Sequence, residues 1–408
     1  MLLQTPFHAR TAALCTSYAW KEWAGCAAVC NYDRHSEREY FAVRHACGLI
    51  DVSPLYKYEV RGPDAGRLLA RVTCKDATRM RKGQVTYTTW CDSQGKALDD
   101  GTISRFADDW FRITSSEPWL AWFRRHSRGL TVEVEDVTTK LGALALQGPT
   151  SRAVLDQLTD FDLDKMRFFR VRPMRLAGRQ VRVSRTGYTG DLGFEIWVQP
   201  DDALHVWDAI FEAGRPYRLQ PMGLDALDVL RIEAGFVLQG VDYISARSCV
   251  IEPRKSSPFE IGLGWTVELE REGEPFIGQK ALLAERERGS EWALVGLDIS
   301  WPELETLYFG YGLPPHLAPI ACRDGVPVYA RDGGQVGMVT SQVWSPLLKK
   351  YLALATVKAP YGADGTQLSV EHTVEFVRHR VTGTVVPKPF FDPERKKSVP
   401  GRKKQGAA

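Results

Sequence analysis

The sequence lacks any apolar run near the ~18–20 residues of a membrane-spanning helix, so an integral membrane protein is not expected. Its start, MLLQTPFHARTA, has no sustained apolar core, and we expect no secretory signal peptide. The eight cysteines form no CxxC pair and have no histidine at zinc-ligand spacing, which argues for free thiols and against a metal site. Together these absences predict a protein of the reducing cytoplasm.

Neither sign of charge predominates, because 53 basic and 50 acidic residues leave a formal net charge of only +3. Such a small excess gives no reason to expect a nucleic acid partner. Much of it lies at the end of the chain, where basic residues follow one another closely. We expect residues 391–408 to form a basic, disordered tail.

A chain of 408 residues, 44% hydrophobic and 25% charged, is typical of a soluble globular protein with two or three domains. Residues 1–50 are predicted to be helical after a short lead. From Trp292 to Val386 the pattern is almost entirely that of β-strands.

The region from Arg179 to Tyr243 carries the clearest pattern. It begins with RQVRVSRTGYTGDLGFEIWV, in which an alternating strand, a Gly-rich turn and a returning strand predict a hairpin with polar groups at its tip. From Leu224 to Ala234 the apolar spacing becomes helical, and Arg231 lies on that helix close to two acidic residues.

An acidic pair, Asp99 and Asp100, interrupts a second predicted hairpin. Aspartate is disfavoured inside strands, and local rules are most often broken at functional sites. Adjacent strand residues face opposite ways, so one member of the pair is favoured for a site, and Asp99 is interpreted as part of a solvated turn.

These motifs resemble the aminomethyltransferase family. It comprises the glycine cleavage T-protein, tetrahydrofolate-dependent demethylases and the folate domains of dimethylglycine and sarcosine dehydrogenases. RTGYTGDLGFEI and LRIEAG are similar to its folate-binding core, LGALALQGP to its Gln-Gly-Pro strand, and GMVTSQVWSPLLKKYLAL to its last domain. The resemblance covers almost the whole chain.

The resemblance implies an α+β fold of three domains arranged as a cloverleaf around a central folate funnel. The domains it implies are residues 1–50 with 140–240 as a split folate-binding domain, 51–139 with 241–289 as a second α+β domain, and 290–390 as a C-terminal β-barrel.

The same resemblance makes tetrahydrofolate the expected cofactor. Its pterin edge presents two neighbouring N–H donors, which Glu195 can accept as a pair. Tyr188 is expected to lie against a ring face or to donate through its hydroxyl. Arg231 either holds folate, neutralises nearby carboxylates or forms a plain helix salt bridge. Trp265 either packs on the ligand or fills the core.

Two further site residues come from the acidic hairpin. Asp100 matches the family's reactive position and is expected to orient nitrogen-5 of tetrahydrofolate and to balance the positive charge that forms there. Tyr87 matches a tyrosine that contacts folate in the family. This transfer requires neither a metal nor a flavin.

The expected function is therefore transfer of a one-carbon group from a methylated small molecule to nitrogen-5 of tetrahydrofolate. The alternative is a T-protein acting on a lipoyl carrier. Where the T-protein has Asp-Val-Ser-His-Met, this chain has Pro54 and Leu55 after Asp-Val-Ser. The T-protein's early Gly-Trp-x-Met-Pro run is also absent, and Trp20 to Gly25 reads WKEWAG instead. These departures favour the demethylase.

Two other interpretations remain open. The chain could be half of an amine demethylase whose flavin lies on another subunit. It could also be a non-catalytic folate-binding protein of iron–sulfur cluster maintenance, although the Lys-Gly-Cys-Tyr motif of those relatives is missing near Cys249.

Overall fold

The computed structural model describes residues 2–398 of the chain. Its helices are α1 (His8–Leu14), α2 (Glu37–His45), α3 (Ala65–Val72), α4 (Leu120–His126), α5 (Ser151–Asp156), α6 (Pro200–Gly214), α7 (Leu224–Glu233), α8 (Gln279–Arg288) and α9 (Trp301–Gly310). Its strands are β1 (Ala19–Trp23), β2 (Cys26–Asn31), β3 (Gly48–Asp51), β4 (Tyr56–Arg61), β5 (Val85–Cys91), β6 (Ala97–Ala107), β7 (Trp110–Ser115), β8 (Glu133–Asp136), β9 (Gly142–Gln147), β10 (Val171–Leu176), β11 (Arg179–Ser184), β12 (Gly193–Val198), β13 (Gln220–Pro221), β14 (Trp292–Ile299), β15 (Val326–Tyr329), β16 (Gln335–Ser345), β17 (Lys350–Lys358), β18 (Gln367–Val374) and β19 (Val377–Val386).

The first 50 residues are less helical than their sequence suggested, because β1 and β2 form a two-stranded hairpin there. Trp23 pairs with Cys26, so only Ala24 and Gly25 form the turn. Both turn residues have positive φ, as a tight two-residue hairpin requires. The helical prediction is therefore wrong for this hairpin and correct for α1 and α2.

One wall of the interior is a mixed sheet with the strand order β10–β11–β12–β9–β3–β13. Its strand β9 is buried along its whole length, which agrees with its apolar sequence GALALQ. Successive side chains point to opposite faces of the sheet. Leu144 and Leu146 pack with apolar residues of α5 and α6, whereas Ala143 and Ala145 belong to the cluster on the other face.

The opposite wall is an antiparallel sheet with the order β5–β6–β7–β4–β8. One of its faces packs on α3 and α4. On its other face the strand register aligns Lys57, Thr114, Thr102 and Tyr87 in a row across β4, β7, β6 and β5. This row faces the first sheet across the interior.

The C-terminal part of the described chain is a closed barrel in the order β14–β17–β16–β15–β18–β19. The predicted α+β fold with a C-terminal β-barrel is confirmed, while the domain boundaries stay a prediction. Among residues 2–398, none of the helices has the length and apolar character needed to cross a bilayer.

Residues 391–398 correct the prediction of a tail that is disordered from residue 391. Arg395 forms a two-point ion pair with the buried Asp191, at 2.7 Å for each contact. The guanidinium of Arg185 donates to the main-chain oxygens of Arg395, Lys396 and Ser398. This segment is therefore held on the Gly-rich turn between β11 and β12; the remainder of the predicted tail, residues 399–408, lies outside the described residues.

Candidate functional site

A cavity of about 1520 Å³ lies between the two sheets. From the first sheet, Glu195, Ala145 and Ile50 reach it as direct neighbours across β12, β9 and β3. The residues predicted for the site all line this cavity, namely Tyr87, Asp100, Tyr188, Glu195, Arg231 and Trp265. The structure thus brings all of them to one place, and what they bind stays a prediction.

Asp100 is held by two tyrosines. The hydroxyl of Tyr87 donates to its Oδ2, and the hydroxyl of Tyr243 donates to its Oδ1. Burial raises the pKa of Asp100, and the two tyrosine hydrogen bonds act in the opposite direction. Burial also raises the pKa of both tyrosines, which keeps them protonated as donors. The half-buried carboxylate is thus fixed in direction at the cavity wall.

Asp99 faces away from the cavity, as the strand alternation predicts. Its carboxylate accepts from the Ser116 hydroxyl at 2.6 Å, the Glu117 N–H at 3.0 Å and the Trp119 indole at 2.8 Å. It is fully buried, so the prediction that Asp99 belongs to a solvated turn is wrong. Burial and the neighbouring Asp100 raise its pKa. Asp99 therefore anchors the segment after β7.

Tyr87 and Trp265 stack on each other at the cavity wall. Their ring centroids lie 5.6 Å apart with an angle of 15° between the planes. Trp265 is 63% exposed, so of its two predicted roles, ligand packing or core filling, core filling is excluded. The pair presents a flat apolar surface beside Asp100.

Glu195 lies on β12 with one of its oxygens occupied. Oε2 accepts from the hydroxyls of Thr186 and Ser184, and no hydrogen bond reaches Oε1 from residues 2–398. Burial raises its pKa, against which the two hydroxyls and the charge of Lys57 act. One carboxylate oxygen thus remains free to accept from a ligand.

The Gly-rich turn before Glu195 is held down by Gln147. The Gln147 amide donates to the Thr186 main-chain oxygen and accepts from the Thr189 hydroxyl. A Cβ at Gly187 would lie 1.9 Å from Gln147 Oε1, and one at Gly193 would meet the same side chain. The glycines of the RTGYTGDLG motif therefore serve this close approach.

Tyr188, at the tip of that turn, makes contact with the segment after α7. Its hydroxyl donates to the Val237 main-chain oxygen, and its ring stacks on Phe236 at 5.5 Å and 26°. Of the two roles predicted for Tyr188, donation to a ligand through the hydroxyl is not available, because that hydroxyl already donates to Val237. Its ring remains as the part that can meet a ligand.

Arg231 is buried and bonded on every side. It donates to Asp228 at 2.7 Å, to Asp242, to the Phe236 main-chain oxygen and to Ser341 of the barrel. Of the three predicted roles, neutralising nearby carboxylates therefore describes its contacts best. It joins α7, the following loop and β16 rather than presenting a free guanidinium.

Sequence reasoning missed Lys57 and Lys388, which line this cavity, and Tyr243, which contacts Asp100. Tyr243 directs Asp100, but nothing in the local sequence GVDY distinguishes it from a core tyrosine. Lys57 is fully buried and donates to the Ser53 and Leu55 main-chain oxygens; burial lowers its pKa to about 7. Lys388 borders the cavity from the end of the barrel. The part of the chain that the structure describes contains no cluster of metal-ligating side chains.

Comparison with known proteins finds similarity over most of the chain. The sequence matches the family described as GCVT N-terminal domain over residues 8–271, and the glycine cleavage T-protein C-terminal barrel domain over residues 312–392. An aminomethyltransferase of Halothermothrix orenii is 35% identical over 358 residues, covering 86% of this chain and 90% of that protein.

Two further proteins are similar to this chain, one over only part of its own length and the other in its fold. A trimethylamine-oxide aldolase of Ruegeria pomeroyi is 34% identical over 407 residues, covering 97% of this chain but 48% of the aldolase. The crystal structure of glycine cleavage system aminomethyltransferase T from Bartonella henselae aligns with a TM-score of 0.80 over 96% of this chain and 99% of that one. Its sequence identity of 24% limits that likeness to the fold.

Proposed function

The chain belongs to the aminomethyltransferase (glycine cleavage T-protein) family, and we propose that it moves a one-carbon group from a methylated small molecule to nitrogen-5 of tetrahydrofolate. The observation that carries this proposal is a half-buried carboxylate, Asp100, held by Tyr87 and Tyr243 inside a cavity about 1520 Å³ in volume. Such a cavity exceeds the ~300–1,000 Å³ of common ligand sites and leaves room for two reactants.

The residues present suit tetrahydrofolate. The free Oε1 of Glu195, with the remaining acceptor capacity of Oε2, would take the paired N–H groups of the pterin edge. Tyr87 with Trp265, and Tyr188 with Phe236, offer flat ring faces along the same cavity. A bound folate would supply the nucleophilic nitrogen.

Asp100 would then act on that nitrogen. Its two tyrosine donors fix the carboxylate before reaction, so that it needs no reorganisation as positive charge forms on the acceptor. The two walls of the cavity would hold donor and acceptor in line, which is largely a proximity effect. The other residues predicted for the site would bind and orient the folate rather than act on the reacting nitrogen.

The preference for a small donor rests on the residues at the cavity that differ from the T-protein pattern. Leu55, Trp23, Ala24 and Gly25 line the cavity, and they belong to the two segments that depart from the T-protein pattern. The similarity to a protein named for trimethylamine oxide supports a methylated nitrogen compound among the possible donors.

The second candidate is the T-protein reaction with an aminomethylated lipoyl carrier. It is favoured by the 35% identity to an aminomethyltransferase across 90% of that protein. A protein partner, either a lipoyl carrier or a flavin subunit, is expected to deliver the one-carbon unit only if the small-donor proposal fails.

Mass spectrometry of the folate products tests these functions directly. The protein is incubated with tetrahydrofolate and either a panel of O-, N- and S-methylated compounds or aminomethylated lipoyl protein. Formation of 5-methyltetrahydrofolate from one of the methylated compounds supports the demethylase. Methylenetetrahydrofolate from the lipoyl protein alone would establish the T-protein reaction instead, and folate binding without any product would favour a non-catalytic protein.

A further inference from the structure

The side chain of Lys388 lies in a groove formed by three glycines from separate segments, Gly235, Gly262 and Gly296. A Cβ would lie 3.3 Å from Lys388 Cβ at Gly235, 3.0 Å from its Cγ at Gly296, and 3.1 Å from its Nζ at Gly262. Larger residues there would crowd the lysine along its length. Lys388, Gly235 and Gly262 also line the cavity, so this glycine groove carries the ammonium to the cavity wall.

Within the part of the chain that the structure describes, the ammonium of Lys388 has no anionic partner. Among residues 2–398 it makes no hydrogen bond, and no carboxylate lies within 4.0 Å of it. The nearest acidic influence is Asp242, whose carboxylate is already engaged by Arg231, Thr340 and Ser341. Burial lowers the pKa of Lys388 to about 8.

Most other lysines at the cavity have partners, with Lys75 paired to Glu268, whereas the half-buried Lys21 on β1 makes no hydrogen bond or ion pair among residues 2–398. Lys396 and Lys397 both pair with Asp392, and Lys57 donates to two main-chain oxygens. A half-buried cation without a partner costs free energy, and such groups are kept mainly where a ligand completes them. The anion that completes Lys388 is therefore expected to come from outside the protein.

We propose that Lys388 binds a carboxylate of a ligand in this cavity. The proposal rests on the proposed function, which offers two sources of that group: the glutamate tail of tetrahydrofolate, or a carboxylate on the one-carbon donor. The ammonium would form a charge-assisted hydrogen bond with it and fix that end of the ligand.

The test uses Lys388→Met, which keeps the stem in the glycine groove and removes the charge. Its matched control is Lys350→Met, because Lys350 is a half-exposed lysine paired with Asp298 outside the cavity. Calorimetry compares tetrahydrofolate with 6-methyltetrahydropterin, which lacks the tail. Kinetics compare the KM of carboxylated and uncarboxylated methyl donors, for example dimethylglycine and dimethylamine.

If the folate tail is the source, Lys388→Met weakens tetrahydrofolate binding by about tenfold or more and leaves the tailless pterin unchanged. If the donor is the source, folate affinity is kept and KM rises for the carboxylated donor alone. Equal constants for wild type and variant in both comparisons would overturn the proposal. Failure of the wild type to bind tetrahydrofolate would instead refute the proposed function.

A stability measurement separates this role from a structural one. Removing an unpaired buried charge should leave the free energy of unfolding unchanged or raise it, because the desolvation cost disappears. Urea unfolding in which Lys388→Met is clearly less stable than Lys350→Met would mean that the lysine supports the fold, and would contradict the proposal.

Discussion

Replacing Asp100 by asparagine should slow one-carbon transfer while sparing the fold. The carboxylate accepts from Tyr87 and Tyr243, and an amide keeps one accepting oxygen, so that one tyrosine must turn its hydroxyl to accept instead. The change also removes a half-buried charge, which offsets part of the lost hydrogen bond. We therefore expect the free energy of unfolding to change by only about 1 kcal/mol.

The rate should respond much more strongly. Loss of one preorganised electrostatic group usually lowers turnover by roughly 10² or more. At about 1.36 kcal/mol per factor of ten, this corresponds to roughly 2.7 kcal/mol of transition-state stabilisation. Folate affinity should change less, because the charge that Asp100 balances develops only toward the transition state.

Single-turnover transfer to tetrahydrofolate measures this rate, with urea unfolding measured in parallel. Asp99→Asn is the matched control, since Asp99 has its carboxylate on the opposite face, bonded to Ser116, Glu117 and Trp119. The Asp99→Asn substitution should cost about 1–3 kcal/mol of stability for each donor left unpaired. It should change the transfer rate per folded molecule very little. Equal rates for Asp100→Asn and wild type, or a larger rate loss in the control, would refute the reasoning.

Three other substitutions probe the rest of the cavity. Glu195→Gln should weaken tetrahydrofolate binding by about 1.5–3 kcal/mol, because the amide replaces one acceptor oxygen of the pair with an NH2 donor and removes the charge; unchanged calorimetric affinity would remove Glu195 from the site. Trp265→Ala should leave thermal stability nearly unaltered, since the residue is 63% exposed, and should weaken folate binding by removing the ring stacked on Tyr87; a large loss of stability would contradict this. Arg231→Met should lower the free energy of unfolding by about 3–5 kcal/mol, because it leaves the buried Asp242 without its cationic partner. Urea unfolding that shows no loss of stability would disprove that Arg231 holds α7, the following loop and β16 together.

Several features follow from local sequence alone. The alternation around RTGYTGDLGFEI predicted the pairing of β11 and β12, and the apolar run GALALQ agreed with a strand buried on both faces. Period-two alternation also separated Asp99 from Asp100 before any contact was known. The hairpin of β1 and β2 was missed, because its only strong signal is the two-residue turn at Ala24 and Gly25.

The partners of these residues were decided by packing between distant segments. Tyr243 reaches Asp100 from 143 positions away, and Ser341 meets Arg231 from 110 positions away. A sequence shows that a side chain can donate or accept, but its partner depends on which faces two sheets and a barrel bring together. Arg231, which the sequence left with three possible roles, is bonded within the protein for this reason.

The strands, turns and polar positions can largely be predicted from the amino-acid sequence, because propensity and side-chain alternation act over a few residues. Which of those positions are buried, paired or free depends on the packing of distant segments. Packing engages the hydroxyl of Tyr188, exposes Trp265 and leaves the ammonium of Lys388 without an anion among residues 2–398. Burial and hydrogen-bond pairing depend on the whole packed chain, so no window of local sequence contains them.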